Sequence, residues 1–343
     1  MNRLVILVVC WNNADDVIEC IESLLGQSKT DFTILALDNN STDPSARTQL
    51  RKFVDTHQKQ SEPVLEYFES DRNDGTAGAF SLGAKWAIDR EFDFFGALNA
   101  DAIADRYWLE ELYDELLAHD NTGVVTGKLL RRDGKTIDTT GDFYATWGLP
   151  SPRLRDKPAS EAPDESGYVF GVTGGDFLAR TQVFREVGLF DLKYFMYYED
   201  VDMWFRAQLR GWHARYTPGS IAYHKLGASS KTVPGLAVYN TFKNLPMLFT
   251  KNVPLRLWPL IYPRFALMYA LIFASAVRKG SGTYAFKGWL RSVGLIPHMF
   301  YQRSKIQHSR TAPNSYISSI VIHDIPAEQT GLRKFRAIFT GKK

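Results

Sequence analysis

Leu4-Val5-Ile6-Leu7-Val8-Val9-Cys10, followed at once by Trp11-Asn12-Asn13-Ala14-Asp15-Asp16, is the stretch that decides the fold. An apolar run without alternation suits a strand covered on both faces, as in a parallel sheet. The polar residues after it supply a cap and early acids, and Val17, Cys20, Ile21, Leu24 and Leu25 mark the apolar stripe of a helix. The unit recurs along the chain. Phe32 to Leu37 reads as a second strand ending in Asp38-Asn39-Asn40-Ser41-Thr42-Asp43-Pro44, whose proline announces a helix with Leu50, Phe53 and Val54 inside. Val64 to Glu69 alternates as a third strand. Asp71-Arg72-Asn73-Asp74-Gly75-Thr76-Ala77-Gly78 is a turn-rich loop before a helix through Phe80, Leu82, Trp86 and Ile88. Phe92 to Leu98 is a fourth strand that stops at Asn99-Ala100-Asp101-Ala102, with a helix from Trp108 and a strand at Val124-Val125 beyond. Such alternation predicts an α/β, doubly wound sheet with ligands at the carboxyl ends of its strands. Trp11, Asn12, Asp38, Asn40 and Asn99 to Asp101 stand at those ends.

The bulk numbers agree with one large domain or two. The chain has 343 residues, 45% of them hydrophobic, enough for a full core. With 41 basic against 38 acidic residues the net charge is +3, too balanced to indicate nucleic acid as a partner. Two cysteines, Cys10 and Cys20, make neither a disulfide framework nor a cysteine metal site, and suit a reducing compartment. The apolar N-terminal run is short for a signal peptide and lacks a small-residue cleavage site.

From residue 129 the regularity breaks. Arg132-Asp133-Gly134-Lys135 reads as a tight hairpin turn, and residues 141 to 167, rich in Pro, Gly and Ser, as a long mobile loop. Order returns with Val169 to Thr173, Gly174-Gly175-Asp176 and a helix around Val183 to Val187. Then comes Tyr197-Tyr198-Glu199-Asp200-Val201-Asp202-Met203-Trp204-Phe205-Arg206-Ala207, where three carboxylates crowd the start of an aromatic, apolar helix. Asp202 is placed to pair with Arg206 at i,i+4. Glu199 and Asp200 favour the positive helix end, or serve a cation, a hydrogen bond or a reaction. Gly211 ends the helix, Ala214 to Tyr216 starts a last strand, and Ile221-Ala222-Tyr223-His224 brings a histidine to its edge.

After about residue 236 the composition changes. The expected division is a catalytic domain over 1–235, a basic, aromatic helical region over 236–310 and a tail over 311–343, where Ile317 to Ile322 suits a strand or a short helix. The uninterrupted apolar part, Phe265 to Val277, would span roughly 20 Å of helix at about 1.5 Å per residue, short of the roughly 30 Å hydrocarbon core. Lys243, Lys251, Arg256, Arg278, Lys279, Lys287, Arg291, Arg303, Lys305 and Arg310 lie among Trp258, Tyr262, Trp289 and Tyr301. That mixture suits helices lying in the surface of an anionic membrane, a peripheral or monotopic attachment. The alternative is a helical hairpin packed on the catalytic domain, or at the interface of a homo-oligomer.

Asp38 could accept the imide N–H of uracil or thymine, or simply cap the next helix. Asp101 and His224 could hold a divalent cation together with a diphosphate, or be a plain turn and a hydrogen-bonded surface histidine. Asp200 could take the proton of an attacking hydroxyl. In sum the chain resembles glycosyltransferase family 2, the inverting enzymes of GT-A fold, and within it the bacterial rhamnosyltransferase-like branch acting on lipid-linked acceptors. The resemblance rests on Trp11-Asn12-Asn13, Asp38 to Asp43, Asn73 to Gly78, Leu98-Asn99-Ala100-Asp101, and above all Gly188-Leu189-Phe190-Asp191 through Asp202 to His224.

It implies that Asp38 and Arg72 contact the nucleobase and that Trp11, Asn12, Asn40, Asn73, Gly75, Asn99 and Asp101 line the nucleotide-sugar site. Asp101 and His224 would hold Mn2+ or Mg2+, Asp200 would be the base with Glu199 supporting it, and Gly175 and Asp176 would line the acceptor side, Asp176 being otherwise part of a structural turn. Asn99 departs from the family pattern, which often has the first aspartate of an Asp-x-Asp there. The implied partners are a dTDP- or UDP-sugar, with dTDP-rhamnose first and UDP-galactofuranose or UDP-GlcNAc as alternatives, and a polyprenyl-diphosphate-linked saccharide at the cytoplasmic membrane face. A nucleotidyltransferase would be expected to carry a Gly-rich, basic phosphate loop near the N-terminus, where this chain has Cys10-Trp11-Asn12-Asn13. A non-catalytic nucleotide-sugar-binding membrane protein is the other class.

Overall fold

The computed structural model describes residues 3–57, 62–225 and 233–324. The first half alternates as the pattern requires: β1 (Leu4–Cys10), α1 (Ala14–Leu25), β2 (Thr33–Asp38), α2 (Pro44–His57), β3 (Val64–Glu69), α3 (Gly75–Asp89) and β4 (Phe94–Leu98). Then follow β5 (Ala102–Ala104), α4 (Trp108–Leu117), β6 (Thr122–Arg131), β7 (Ile137–Thr139), β8 (Asp142–Tyr144), β9 (Pro150–Pro152), β10 (Gly167–Val169) and β11 (Asp176–Arg180). Helices α5 (Thr181–Val187) and α6 (Glu199–Arg210) lead to β12 (His213–His224). Five more helices follow among the described residues: α7 (Leu236–Asn252), α8 (Trp258–Arg278), α9 (Gly282–Gly294), α10 (Ile296–His308) and α11 (Asn314–Ile320).

The main sheet runs β10-β12-β6-β11-β4-β1-β2-β3, with β5 on β12 and β7 on β6. Strands β4, β1, β2 and β3 are mutually parallel, while β11 runs antiparallel to both β4 and β6. The lack of alternation in β1 now has its cause: Val5 and Leu7 enter one core, Ile6, Val8 and Cys10 the other, on opposite faces of the sheet. A third core joins Tyr144, Phe170 and Phe205 to Phe249, Ile261 and Phe265, so α7 and one side of α8 pack on the sheet domain.

Three expectations change. Residues 141–167 are not a loose loop: β8 and β9 pair, Asp142 N–H donates to the Gly171 carbonyl at 2.8 Å, and Tyr144 stacks on Phe170. Gly and Pro erased the periodicity there, but the backbone groups are satisfied by neighbouring segments instead. β5 was hidden because three residues carry no readable period. α8 continues through Pro263 at its N-terminal end, so its 21 residues span about 31 Å at about 1.5 Å per residue rather than the shorter run expected. By length and composition Leu255–Arg278 is enough to cross a bilayer, with 22% of its apolar window buried. The tail includes α11, and its remaining residues, 325–343, lie outside the described part.

Candidate active site

Strand ends build the first part of the site. Cys10 and Asp38 are register partners, and Asn39 N–H donates to the Cys10 carbonyl at 2.8 Å, which brings the loops after β1 and β2 together. Asn12 joins them: its Nδ2–H donates to Thr42 Oγ1 at 2.9 Å and its Oδ1 accepts from Asp43 N–H at 2.9 Å. Asn12 and Asn40 are both left-handed, at φ 60° and 57°, a conformation asparagine tolerates. Trp11 N–H donates to Asn13 Oδ1 at 2.8 Å. Asp38 is fully buried. Its Oδ1 accepts from Ser41 N–H at 2.9 Å and lies 3.6 Å from Arg47 Nε, whereas its Oδ2 has no partner. A buried carboxylate oxygen without a donor is costly, and an incoming N–H would satisfy it. Arg47, which the sequence did not single out, ties the corner together through the Ser41 carbonyl at 2.9 Å and Glu69 at 3.0 Å.

Asn73 Oδ1 accepts from Gly75 N–H at 2.8 Å and from Asn39 Nδ2–H at 3.1 Å, so the loop before α3 joins the same network. Gly75 is required: at φ +72° an added Cβ would stand 2.1 Å from the Phe195 carbonyl oxygen. Arg72 is mostly exposed and pairs with Asp74, and no bond links it to Asp38 among the described residues.

Strand β5 creates the second part. It pairs antiparallel with β12, matching Ala102 to His224, and so sets Asp101 beside the histidine. His224 Nε2 lies 2.9 Å from Asp101 Oδ1 and 3.2 Å from Asn99 Nδ2, and Nδ1 lies 2.8 Å from Asp138 Oδ2. Asp138, on β7, was not foreseen, and is itself paired with Arg155 at 2.8 Å. Burial pushes the His224 pKa down, but the bonds to Asp101 and Asp138 carry it up to about 9. Both contacts therefore call for positive charge. The imidazolium supplies it by donating Nδ1–H to Asp138 and Nε2–H to Asp101, and a divalent cation would take the place of the Nε2 proton, held by Nε2 and the Asp101 carboxylate. An oxygen and a nitrogen donor so arranged fit a divalent ion, although no group of three metal-binding side chains occurs among the described residues.

The third part is the acidic helix. Residues 195–198 enter it under strain, with Phe195, Tyr197 and Tyr198 at φ 63°, 68° and 69°. Helix α7 holds that loop: Asn244 Nδ2–H donates to the carbonyls of Tyr194, Met196 and Tyr197 at 3.1, 2.9 and 2.8 Å, and Lys243 Nζ to Tyr194 at 3.0 Å. Asp200 then projects half-buried, its Oδ2 accepting from Gly174 N–H and its Oδ1 from Val201 N–H, both at 2.8 Å. Burial raises its pKa and those two amides restrain the rise. Glu199 is buried, with Oε2 unpartnered, and burial plus the Asp200 charge keep it well above the usual carboxylate range. Asp142, a further unforeseen carboxylate, is pushed up to about 7 by burial and by Asp200.

The three parts are continuous. Asn99 N–H donates to the Gly175 carbonyl at 2.9 Å, and a Cβ on Gly175 would lie 2.3 Å from Asn99 Nδ2. Contacts therefore run from Asp101 through His224, Asn99, Gly175 and Gly174 to Asp200. Asp176 stands apart from this run: fully buried, it accepts the Trp108 indole N–H at 2.7 Å, and burial lifts its pKa to about 6.

A mixed sheet with nucleotide-style strand ends and a buried acid on a following helix is the GT-A architecture. Solved structures agree on the fold. GalNAc-T7 with UDP, GalNAc and Mn2+ superposes with a TM-score of 0.57 at 16% identity, over 73% of this chain and 48% of that one. The Pyrobaculum calidifontis mannosyltransferase PcManGT, with GDP-Man and Mn2+, gives 0.53 at 15% identity over 93% and 85%. Residues 5–188 match the model of glycosyl transferase family 2, and the chain belongs to that family. An N-acetylglucosaminyl-diphospho-decaprenol L-rhamnosyltransferase of Mycobacterium tuberculosis is 38% identical over 247 residues, 66% of this chain and 78% of that protein. The low-salt glycan biosynthesis hexosyltransferase Agl10 of Haloferax volcanii is 22% identical over 213 residues, and the match covers 61% of this chain and 62% of that relative's length.

Proposed function

We propose that the chain is an inverting glycosyltransferase that moves L-rhamnose from dTDP-rhamnose onto a polyprenyl-diphosphate-linked saccharide in cell-surface polysaccharide synthesis. The observation that carries the reading is the bonded run from Asp101 and His224 to Asp200, which sets a cation-demanding pair and a raised carboxylate on one edge of the sheet. The rhamnosyl choice draws on the mycobacterial relative. Asp38 Oδ2 accepts the thymine imide N–H, and Arg72 turns from Asp74 towards the base. Trp11, Asn12, Asn40, Asn73 and Gly75 frame the nucleotide. Asp101 and His224 would hold Mn2+ or Mg2+, which when bound offsets the charge of a departing nucleoside diphosphate. Asp200, its basicity raised by burial, takes the acceptor hydroxyl proton as that oxygen bonds to the anomeric carbon. The bond from that carbon to the diphosphate oxygen breaks on the opposite face, so the configuration inverts. Glu199, whose ionisation burial and the Asp200 charge oppose, supports the base, and Gly175 lines the acceptor side with Asp176 fixed behind it.

The basic, aromatic character of helices α8 to α10 supports a reading in which this edge works at the cytoplasmic face of the membrane, attached peripherally or monotopically. The test is nucleoside-diphosphate release from dTDP- and UDP-sugars, with Mn2+, Mg2+ or chelator and a polyprenyl-diphosphate sugar as acceptor. Metal-dependent release from dTDP-rhamnose is expected. Release only from UDP-galactofuranose or UDP-N-acetylglucosamine would replace the donor, and nucleotide binding without release from any donor would leave a binding protein instead.

A further inference from the structure

No Asp or Glu occurs between Asp202 and Asp324, although the chain holds 38 of them. Within that acid-free part three arginines converge where the α7–α8 elbow meets α10 and α11. Arg303, on α10, donates through Nη1 to the carbonyls of Thr250 and Val253 at 2.8 and 2.7 Å, and its guanidinium lies 5.0 Å from the centre of the Trp258 ring. Arg310 donates to Asn314 Oδ1 at 2.8 Å. Arg256, exposed on the turn Leu255–Leu257, has no partner among the described residues. With Ser304 they line an open cleft of about 730 Å³. None of the three pairs with a carboxylate among the described residues. Burial lowers the Arg303 pKa, and the Arg310 charge lowers it further. Guanidinium groups gathered without a counter-ion are costly, and their planar donor forks match phosphate oxygens. The cleft's own rim says where the phosphate comes from. Leu255 and Phe300 flank it at 68% and 53% exposure, Tyr262 on α8 and Tyr301 on α10 are exposed as well, and so are Phe286 and Trp289 on α9. Such side chains lie in a bilayer interface, where the nearest phosphates belong to phospholipids.

We infer that the Arg256–Arg303–Arg310 cleft binds the headgroup phosphate of an anionic phospholipid and so fixes the depth and orientation of the enzyme on the membrane. This rests on the membrane reading above but names a site within it. Generic attraction to an anionic surface depends on charge alone, roughly fivefold in affinity for each basic residue near it. A site depends on which residues are lost.

The test compares R256Q/R310Q with K279Q/K287Q, two variants of equal charge, for co-sedimentation with vesicles of phosphatidylcholine containing phosphatidylglycerol. Arg303 is kept because it caps α7. The arginine variant is expected to lose at least tenfold more affinity than the lysine variant, with an unchanged melting temperature and unchanged nucleotide release on a water-soluble acceptor. Short-chain phosphatidylglycerol below its micelle threshold is expected to alter tryptophan fluorescence in the wild type, not in W258F, while inorganic phosphate at the same concentration does not. Equal losses in the two variants would overturn the site while leaving membrane binding intact, and no vesicle binding by the wild type would overturn both. A response to inorganic phosphate equal to that to the lipid would make it a free-anion site. Turnover in detergent lost only with the lipid-linked acceptor would assign the cleft to the acceptor's diphosphate, against the inference.

Discussion

Asp200 and Asp202 stand two positions apart on α6 and face opposite sides of it. Asp200 turns to the strand ends, where Glu199 and Asp142 are its neighbours, no cation among the described residues pairs with it, and burial raises all three carboxyls. Asp202 turns to the helical half. Its oxygens meet Lys251 at 2.9 Å, Asn252 at 2.8 Å, Arg206 at 3.0 Å and the Tyr194 hydroxyl at 3.1 Å. Burial pushes its pKa up, but Lys251 and Arg206 bring it below the ordinary range. Asp191, also on Lys251 at 2.7 Å and on His298 at 2.8 Å, is depressed in the same way. One side of the helix is thus compensated and the other left in need of a partner. Uncompensated buried acid is a place for chemistry, and compensated acid a place for stability. The helical region has a structural task in this arrangement, because its buried Lys and Asn side chains hold the acidic helix and the loop before it in place.

The largest effect is expected on the compensated side. Lys251→Met leaves Asp191 and Asp202 buried without their shared cation and should lower stability by about 3–5 kcal/mol, read as a fall in denaturant midpoint at neutral pH. Groups with depressed pKa stabilise the fold above the ordinary carboxyl value of 3.8 and lose that contribution as pH falls through the folded value. The wild type should therefore weaken steeply in acid, and the variant less so. An unchanged midpoint at pH 7 would dissolve the distinction between the two sides.

Asp142→Asn works on the uncompensated side, with the opposite sign. Well below 3.8 the carboxyl is neutral in both folded and unfolded chains, so the two proteins should be alike. Between 3.8 and about 7 only the unfolded chain ionises, and stability of the wild type declines as pH rises. The variant should be more stable at pH 8 by about 1–4 kcal/mol, seen as a gap in melting temperature that opens with pH. A gap of equal size at pH 4 would show that shape, not charge, is at work.

Asn244→Ala sharpens the comparison at the joint between the halves. Loss of its bonds to three carbonyls should cost about 1–3 kcal/mol and lower turnover while nucleotide affinity stays within about twofold. Turnover equal to wild type would mean that the strained loop holds Asp200 unaided.

Much of this was legible because the first half obeys simple periods. The apolar run of β1 and the polar strand ends at Asp38 and Asn99 fix the sheet, and Glu199-Asp200 could be singled out as acids in an apolar context. What was hidden came from distant pairings. Asp138 reaches His224 only because β7 folds back on β6, and Asp142 nears Asp200 only through its bridge to Gly171. Arg47 was not singled out, because a lone arginine in a helix has no pattern that points to a carboxylate on another element. Lys243 and Lys251 counted among the basic residues of a membrane-surface helix, yet Lys243, Asn244, Lys251 and Asn252 are all buried. Their repetition two turns apart within one helix was the available signal. α8 was read short because a proline near a helix start was taken as a stop.

The most direct measurement sets Asp200→Asn beside Asp202→Asn in the same nucleoside-diphosphate release assay, with donor binding and melting temperature recorded for each. Asp200→Asn should keep its fold and its donor affinity and lose about 10²–10⁴ in turnover, whereas Asp202→Asn should lose stability first. Wild-type turnover by Asp200→Asn would contradict the account, because the one uncompensated acid at the end of the bonded run would then have no part in the reaction.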